Sequence, residues 1–293
     1  MDDILRHPGA DPVCKICRGR GLAVEQQGEI AVAVACVCLR PCPICQGAGF
    51  VRPTTSLRDA ASLKQFRAPV RRCDCVRAEA RKRVFDDAKI PGRYWAATLA
   101  SFDKKNAPQA EARANAYASS FKVGEPHRGL VFHGPVGRGK THLMVALLRE
   151  LILRYGVTAR FVEFSHLLSD IKFSFDRGGT ADIVEPLATV DILAIDELGK
   201  GRNTEFEGTV IDEIVTRRYN AGRTILGTSN YATGPATGRA APNPAEDDAQ
   251  RVMPTLVDRV GERVYSRLRE TTDFVEMKGE DFRELLAHKA RRR

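Results

Sequence analysis

The chain has 293 residues, 43% of them apolar and 28% charged, which fits one large globular domain plus a small one and excludes a disordered chain. Its longest apolar run, Ile30 to Leu39, is about half of what a membrane-spanning helix needs, and no apolar stretch follows the acidic start Met1-Asp2-Asp3. A cytoplasmic chain with no membrane partner is therefore expected, in a compartment where structural disulfides are rare. The net charge of +9 is uneven: residues 1–83 hold fifteen Lys/Arg against eight Asp/Glu, leaving only +2 for the remainder. A basic front on a near-neutral body suits an anionic partner, or else is a solvated basic face.

All eight cysteines lie before residue 76, in four close pairs. Cys14/Cys17 and Cys42/Cys45 are Cys-x-x-Cys knuckles, each followed by Gly-x-Gly; Cys36/Cys38 and Cys73/Cys75 are Cys-x-Cys knuckles. Two thiolates one or two residues apart grip one face of a tetrahedral ion, and a second pair closes the site, so two structural Zn²⁺ ions per chain are expected. The glycines permit turns that aim backbone N–H groups at sulfur. Disulfides or unrelated buried thiols are the plainer alternative. Sequential pairing would give Cys14, Cys17, Cys36, Cys38 one ion and Cys42, Cys45, Cys73, Cys75 the other. The Cys-x-x-Cys-x-Gly-x-Gly repeats resemble the cysteine-rich domain of DnaJ-type chaperones, with two repeats in place of four, and only the zinc is carried over from that resemblance.

Leu130 to His133 reads as a buried strand running into Gly134-Pro135-Val136-Gly137-Arg138-Gly139-Lys140-Thr141 and then a helical pattern from Leu143 to Tyr155. This is a P-loop in the strand–loop–helix setting the motif requires. Backbone N–H groups of such a loop wrap phosphates, Lys140 reaches the β- and γ-phosphates of ATP, and Thr141 binds Mg²⁺. Residues 134–141 and His142 are the expected ATP contacts, although His133 and His142 also suit packing. A second strand, Ile192 to Ile195, ends in Asp196-Glu197. Asp196 would join Thr141 on Mg²⁺ and Glu197 would polarise the attacking water, the plainer alternative being a helix cap. Thr224 to Asn230 is a further strand, whose Asn230 either contacts the γ-phosphate or the water, or turns the chain. Strands over Arg160–Phe164 and Phe274–Lys278 complete an α/β fold with a parallel sheet between helices. The Pro/Ala/Gly-rich stretch 232–251 is expected to be a loop.

Asp196-Glu197-Leu-Gly199, Arg217-Arg218-Tyr219, Thr228-Ser229-Asn230 and Gly261-Glu-Arg263-Val-Tyr-Ser266-Arg267-Leu resemble the DnaC/IstB family of AAA+ ATPases. So does the approach Ala88-Lys-Ile90-Pro91-Gly-Arg93-Tyr94. The resemblance covers roughly residues 84–286. It implies an AAA+ core without a C-terminal lid, ATP hydrolysis at subunit interfaces of a self-oligomer, and engagement of single-stranded DNA. Loading of a replicative DNA helicase is the implied task, with assistance to a transposase as the alternative. Arg267 matches the arginine finger, Arg263 is a weaker second, and Arg283 matches the sensor-2 arginine. Lys172 and Phe175, and Thr204 and Phe206, line up with the family's DNA contacts; a lysine can neutralise a phosphate and a phenylalanine can stack a base, or both rings simply pack. The expected domains are a tandem zinc-binding unit (1–76), a linker with the first ATPase helices (77–125) and the AAA+ core (126–293).

Overall fold

The structure, a computed structural model, describes residues 6–51, 70–103, 107–175, 180–233 and 254–282; the side chain of Phe175 and all of Arg283 lie outside the described residues. The front carries two small hairpins. The first pairs β1 (Leu22–Gln27) with β2 (Ile30–Ala35), and the second pairs β3 (Phe50–Val51) with β4 (Arg71–Arg72), both antiparallel. Helix α1 (Asp74–Asp87) begins inside the last cysteine knuckle and leads to the body.

The body is one parallel sheet in the order β6-β7-β8-β5-β9. Its strands are β5 (Gly129–His133), β6 (Ala159–Glu163), β7 (Ile192–Asp196), β8 (Thr224–Ser229) and β9 (Thr272–Glu276). β5, β7 and β8 are buried along their whole length, as continuous apolar runs must be when helices cover both faces of a sheet. The covering helices are α2 (Pro108–Ser120), α3 (Lys140–Tyr155), α4 (Phe164–Phe175), α5 (Thr180–Thr189), α6 (Glu205–Asn220), α7 (Leu256–Val260) and α8 (Glu262–Thr271). The expected strands at 160–164 and 274–278 both sit earlier, because Phe164 already starts α4 and polar Thr272 pairs with Gly129 at the foot of β5.

The first hairpin is not a separate bead. Leu22, Val24, Ala31 and Ala33 share one core with Phe85, Ile90 and the α3 leucines. Burying each such large side chain stabilises by about 1.5–3 kcal/mol relative to exposure. The approach segment is the clasp: the Ala31 N–H donates to Ile90 O (2.8 Å) and the Gly92 N–H to Glu29 O (2.7 Å). The Phe161 N–H, on edge strand β6, donates to Ala88 O (2.8 Å). The sequence boundary at residue 76 thus falls within α1 and divides side chains that pack together. The second cysteine cluster keeps its own small core with Val51 and Val76. Among the described residues, no helix is long and apolar enough to cross a membrane.

Candidate functional site: a P-loop, an acidic strand end and two cysteine cages

The P-loop connects β5 to α3 at the carboxyl edge of the sheet. Gly137 has φ +81, a backbone conformation that is strained for a residue with a Cβ. Lys140 is almost fully buried, and its Nζ donates to Gly134 O (2.8 Å) and Pro135 O (2.6 Å). The ammonium therefore lies within the loop's own curve, where it would meet phosphate oxygens. Arg138 holds Nε and Nη1 buried with no hydrogen-bond partner among the described residues, a donor surplus that suits an anion in the loop. His142 points its ring elsewhere, with Nε2 3.2 Å from Ser101 Oγ and the imidazole beside Phe102, and burial lowers its pKa. Of the expected ATP contacts, His142 is thus the one whose side chain packs against Ser101 and Phe102.

Asp196 ends β7, 2% exposed. Its Oδ1 accepts from Thr228 Oγ1 (2.6 Å) and Thr141 Oγ1 (2.8 Å), while burial pushes its carboxyl pKa up. A carboxylate and a hydroxyl in contact at a phosphate loop are hard oxygen donors, the set that suits Mg²⁺. Glu197 follows at φ +55, its N–H donating to Thr228 Oγ1 (2.9 Å) and its carboxylate paired with Lys200. Lys200 also lies 3.7 Å from Glu163, and its pKa is raised mainly by its hydrogen bond to Glu197.

Thr228 is thus the hub of the strand end, a residue that sequence reasoning does not single out. The Ile195–Gly227 pairing of β7 with β8, carried one residue further, sets Thr228 beside Asp196; that register is the signal that points to it. Asn230 is exposed at the end of β8. Arg267 donates to Asp212 Oδ1 (2.8 Å) on α6 and lies over Tyr219, whereas Arg263 is 75% exposed. Arg218 of the Arg-Arg-Tyr motif is a structural clip. Fully buried, it donates to the carbonyls of Leu187, Val190, Asp191 and Thr224 at 2.7–2.9 Å, closing the end of α5 against β8.

The expected DNA contacts separate. Lys172 is exposed on α4, and its neighbour Phe173 is 78% exposed. Thr204 caps α6 in a capping box with Glu207, and Phe206 packs partly buried against an apolar cluster that includes Leu167, Ile195 and Ile211. The fold accounts for both of these residues.

The cysteines gather as Cys14, Cys17, Cys36, Cys38 and Cys42, Cys45, Cys73, Cys75, with all Sγ atoms of a cluster within 4.8 Å of one another. Measured pairs lie at 3.4–3.8 Å and none is a disulfide. A tetrahedron with Zn–S bonds of about 2.3 Å has edges of about 3.8 Å, so both cages fit zinc. Backbone N–H groups of Cys17 and Ile16 lower the Cys14 thiol to about 7. Burial opposes the same effect at Cys45, yet the N–H groups of Gly49 and Gly47 prevail and lower it to about 7. Burial pushes Cys38 up to about 12, so four thiolates would share the first cage only around a cation.

Known proteins share this fold. Residues 61–235 match the family described as IstB-like ATP binding protein. The replicative helicase loader DnaC of Escherichia coli K12 is 31% identical over 121 residues, 39% of this chain and 49% of the relative. DnaC of Buchnera aphidicola (subsp. Acyrthosiphon pisum) is 35% identical over 119 residues, 39% and 46% of the two chains. The chain therefore spans about half the length of the curated relatives it matches. A crystal structure of the DnaC helicase loader superposes with a TM-score of 0.53 at 28% identity, covering 64% of this chain and 99% of that one. AMPPCP-bound DnaA from Aquifex aeolicus, at 18% identity and a TM-score of 0.50 over 67% and 55% of the two chains, shares the fold. With the family's region covering more than half of the sequence, and its P-loop and acidic strand end in place, this chain belongs to the IstB-like ATP-binding proteins.

Proposed function

We propose that this protein is an ATP-hydrolysing loader of a replicative DNA helicase, working as a self-assembled oligomer on single-stranded DNA. The observation that carries the reading is the likeness to the DnaC loader across 99% of that structure, together with an intact Lys140–Thr141–Asp196–Glu197 set. Lys140 and the backbone of residues 134–141 hold the phosphates of ATP. Thr141 and Asp196 hold Mg²⁺, which neutralises phosphate charge when bound. Glu197 orients the attacking water once Lys200 releases its carboxylate, and Thr228 fixes the backbone from which Glu197 projects. Arg267 serves a neighbour's γ-phosphate after leaving Asp212, and Arg283 follows the Asp281–Phe282 segment that lies on the P-loop. Exposed Lys172 and Phe173 offer α4 a phosphate contact and a stacking ring. Two Zn²⁺ ions hold the cysteine cages.

Paired variants test the reading. Lys140→Ala should lose nucleotide binding, whereas Glu197→Gln should bind ATP and form a stable complex with the helicase while losing turnover. Normal turnover by the Glu197→Gln protein would remove the assigned base. Failure of the ATP-bound Glu197→Gln protein to hold the helicase would remove the loader reading.

A further inference from the structure

The first cysteine hairpin and the ATPase body enclose a cleft of about 640 Å³ that no part of the nucleotide chemistry uses. One wall is the first knuckle, with Lys15, Ile16 and Arg18; the other is built by α2, the last turns of α3 with Arg149 and Arg154, and Leu99. Lys140 starts α3, so Arg149 and Arg154 stand about 14–21 Å further along its axis from the phosphate loop.

The cleft is over-supplied with cations. Lys15, Arg18, Arg20, Arg149 and Arg154 line it against two carboxylates, Glu111 and Glu150. Glu150 is already spent on Arg20 at 2.6 Å, and Glu111 accepts from Asn115. Arg154 stacks on Tyr155, but its Nε is buried without a hydrogen-bond partner among the described residues. Behind the cleft wall, Arg81 is 2% exposed and donates to Ala78 O and Leu153 O, adding buried positive charge without itself lining the cleft. Burial, then the charge of Arg20, lowers both Arg81 and Arg149 to about 10. Crowded guanidinium groups with unmet donors are costly unless an anion completes them.

The surroundings decide which anion. Among the described residues no aromatic ring lines the cleft, so none of them can stack a nucleic-acid base there. Apolar side chains stand among the cations: Ile16 is 60% exposed and Leu99 lies opposite. We propose that the cleft between the first cysteine knuckle and the carboxyl end of α3 is a docking site for an acidic, apolar protein segment. Its carboxylates answer the arginines and its apolar side chains cover Ile16 and Leu99. The site goes beyond the loader reading and does not rest on it.

The test uses the full chain and two defined probes: a short fluorescent peptide rich in Glu and Leu, and an oligothymidylate. Anisotropy titrations compare the wild type with Lys15→Glu/Arg154→Glu and with the milder Lys15→Gln/Arg154→Gln; retained ATP binding certifies folding. Peptide affinity should fall about tenfold or more in the reversed pair and less in the neutral pair, with oligothymidylate binding unchanged. Equal peptide affinity in wild type and the reversed pair would overturn the proposal. So would loss of oligothymidylate binding with the peptide unaffected, which would make the cleft a nucleic-acid face.

Discussion

Replacing Thr228 by Val keeps the shape of the side chain and removes one hydroxyl, at a position 1% exposed. That hydroxyl donates to Asp196 Oδ1 at 2.6 Å and accepts the Glu197 N–H at 2.9 Å. A hydrogen bond to a charged group contributes about 1.5–3 kcal/mol, and a buried N–H left without a partner costs about 1–3 kcal/mol. Thr141 continues to serve Asp196, so the lower half of each range applies and the loss sums to about 3 kcal/mol. Glu197 also loses a tether that holds it at φ +55, so its carboxylate should wander. Urea unfolding and steady-state ATPase assays read the two effects. Thr228→Val should lose about 3 kcal/mol of stability and most of its turnover while retaining nucleotide affinity. Asn230→Ala, at an exposed site, should stay within about 0.5 kcal/mol of the wild type. An unchanged unfolding midpoint for Thr228→Val, or a larger loss for Asn230→Ala, would refute the assignment of Thr228 as the hub.

Arg218→Met should destabilise the protein by about 3–5 kcal/mol in denaturant titration, because four buried carbonyls lose a charged donor at once; a loss below about 1 kcal/mol would contradict the clip. Metal analysis should give two zinc ions per chain, with Cys17→Ser and Cys45→Ser each losing one. Only Cys17→Ser should markedly lower the melting temperature of the ATPase, since the first hairpin shares the body's core and the second cluster keeps its own. Equal melting temperatures for the two variants would argue against that fusion.

Much of this site is legible in the sequence because its geometry is local. The P-loop glycines, Lys140 and Thr141 are contiguous, and Asp196 ends an apolar run that only a central strand explains. Knuckle spacing likewise points to two four-cysteine cages, whereas which knuckles pair is left open by spacing and is sequential in the structure. Features that join distant residues are not visible in this way. Thr228 meets Asp196 through the β7–β8 register, and Arg218, in the sequence only part of the Arg-Arg-Tyr motif, gains its clip role when α5 and β8 bring their carbonyls to it. The largest difference is the first hairpin. Cysteine spacing reports the cage, whereas the pairing of residues 29–31 with residues 90–92 depends on tertiary packing. The alternation in Leu22–Gln27 records a buried face without naming what covers it.

Loading itself is the most direct measurement. A helicase ring mixed with closed circular single-stranded DNA, this protein and ATP can be separated from free helicase by gel filtration and counted on the circles. The wild-type protein should raise the circle-bound helicase well above background in an ATP-dependent manner, while Lys140→Ala leaves it at background. Helicase recovery that is no higher with this protein than without it, or equal with the Lys140→Ala variant, would contradict an ATP-dependent loader.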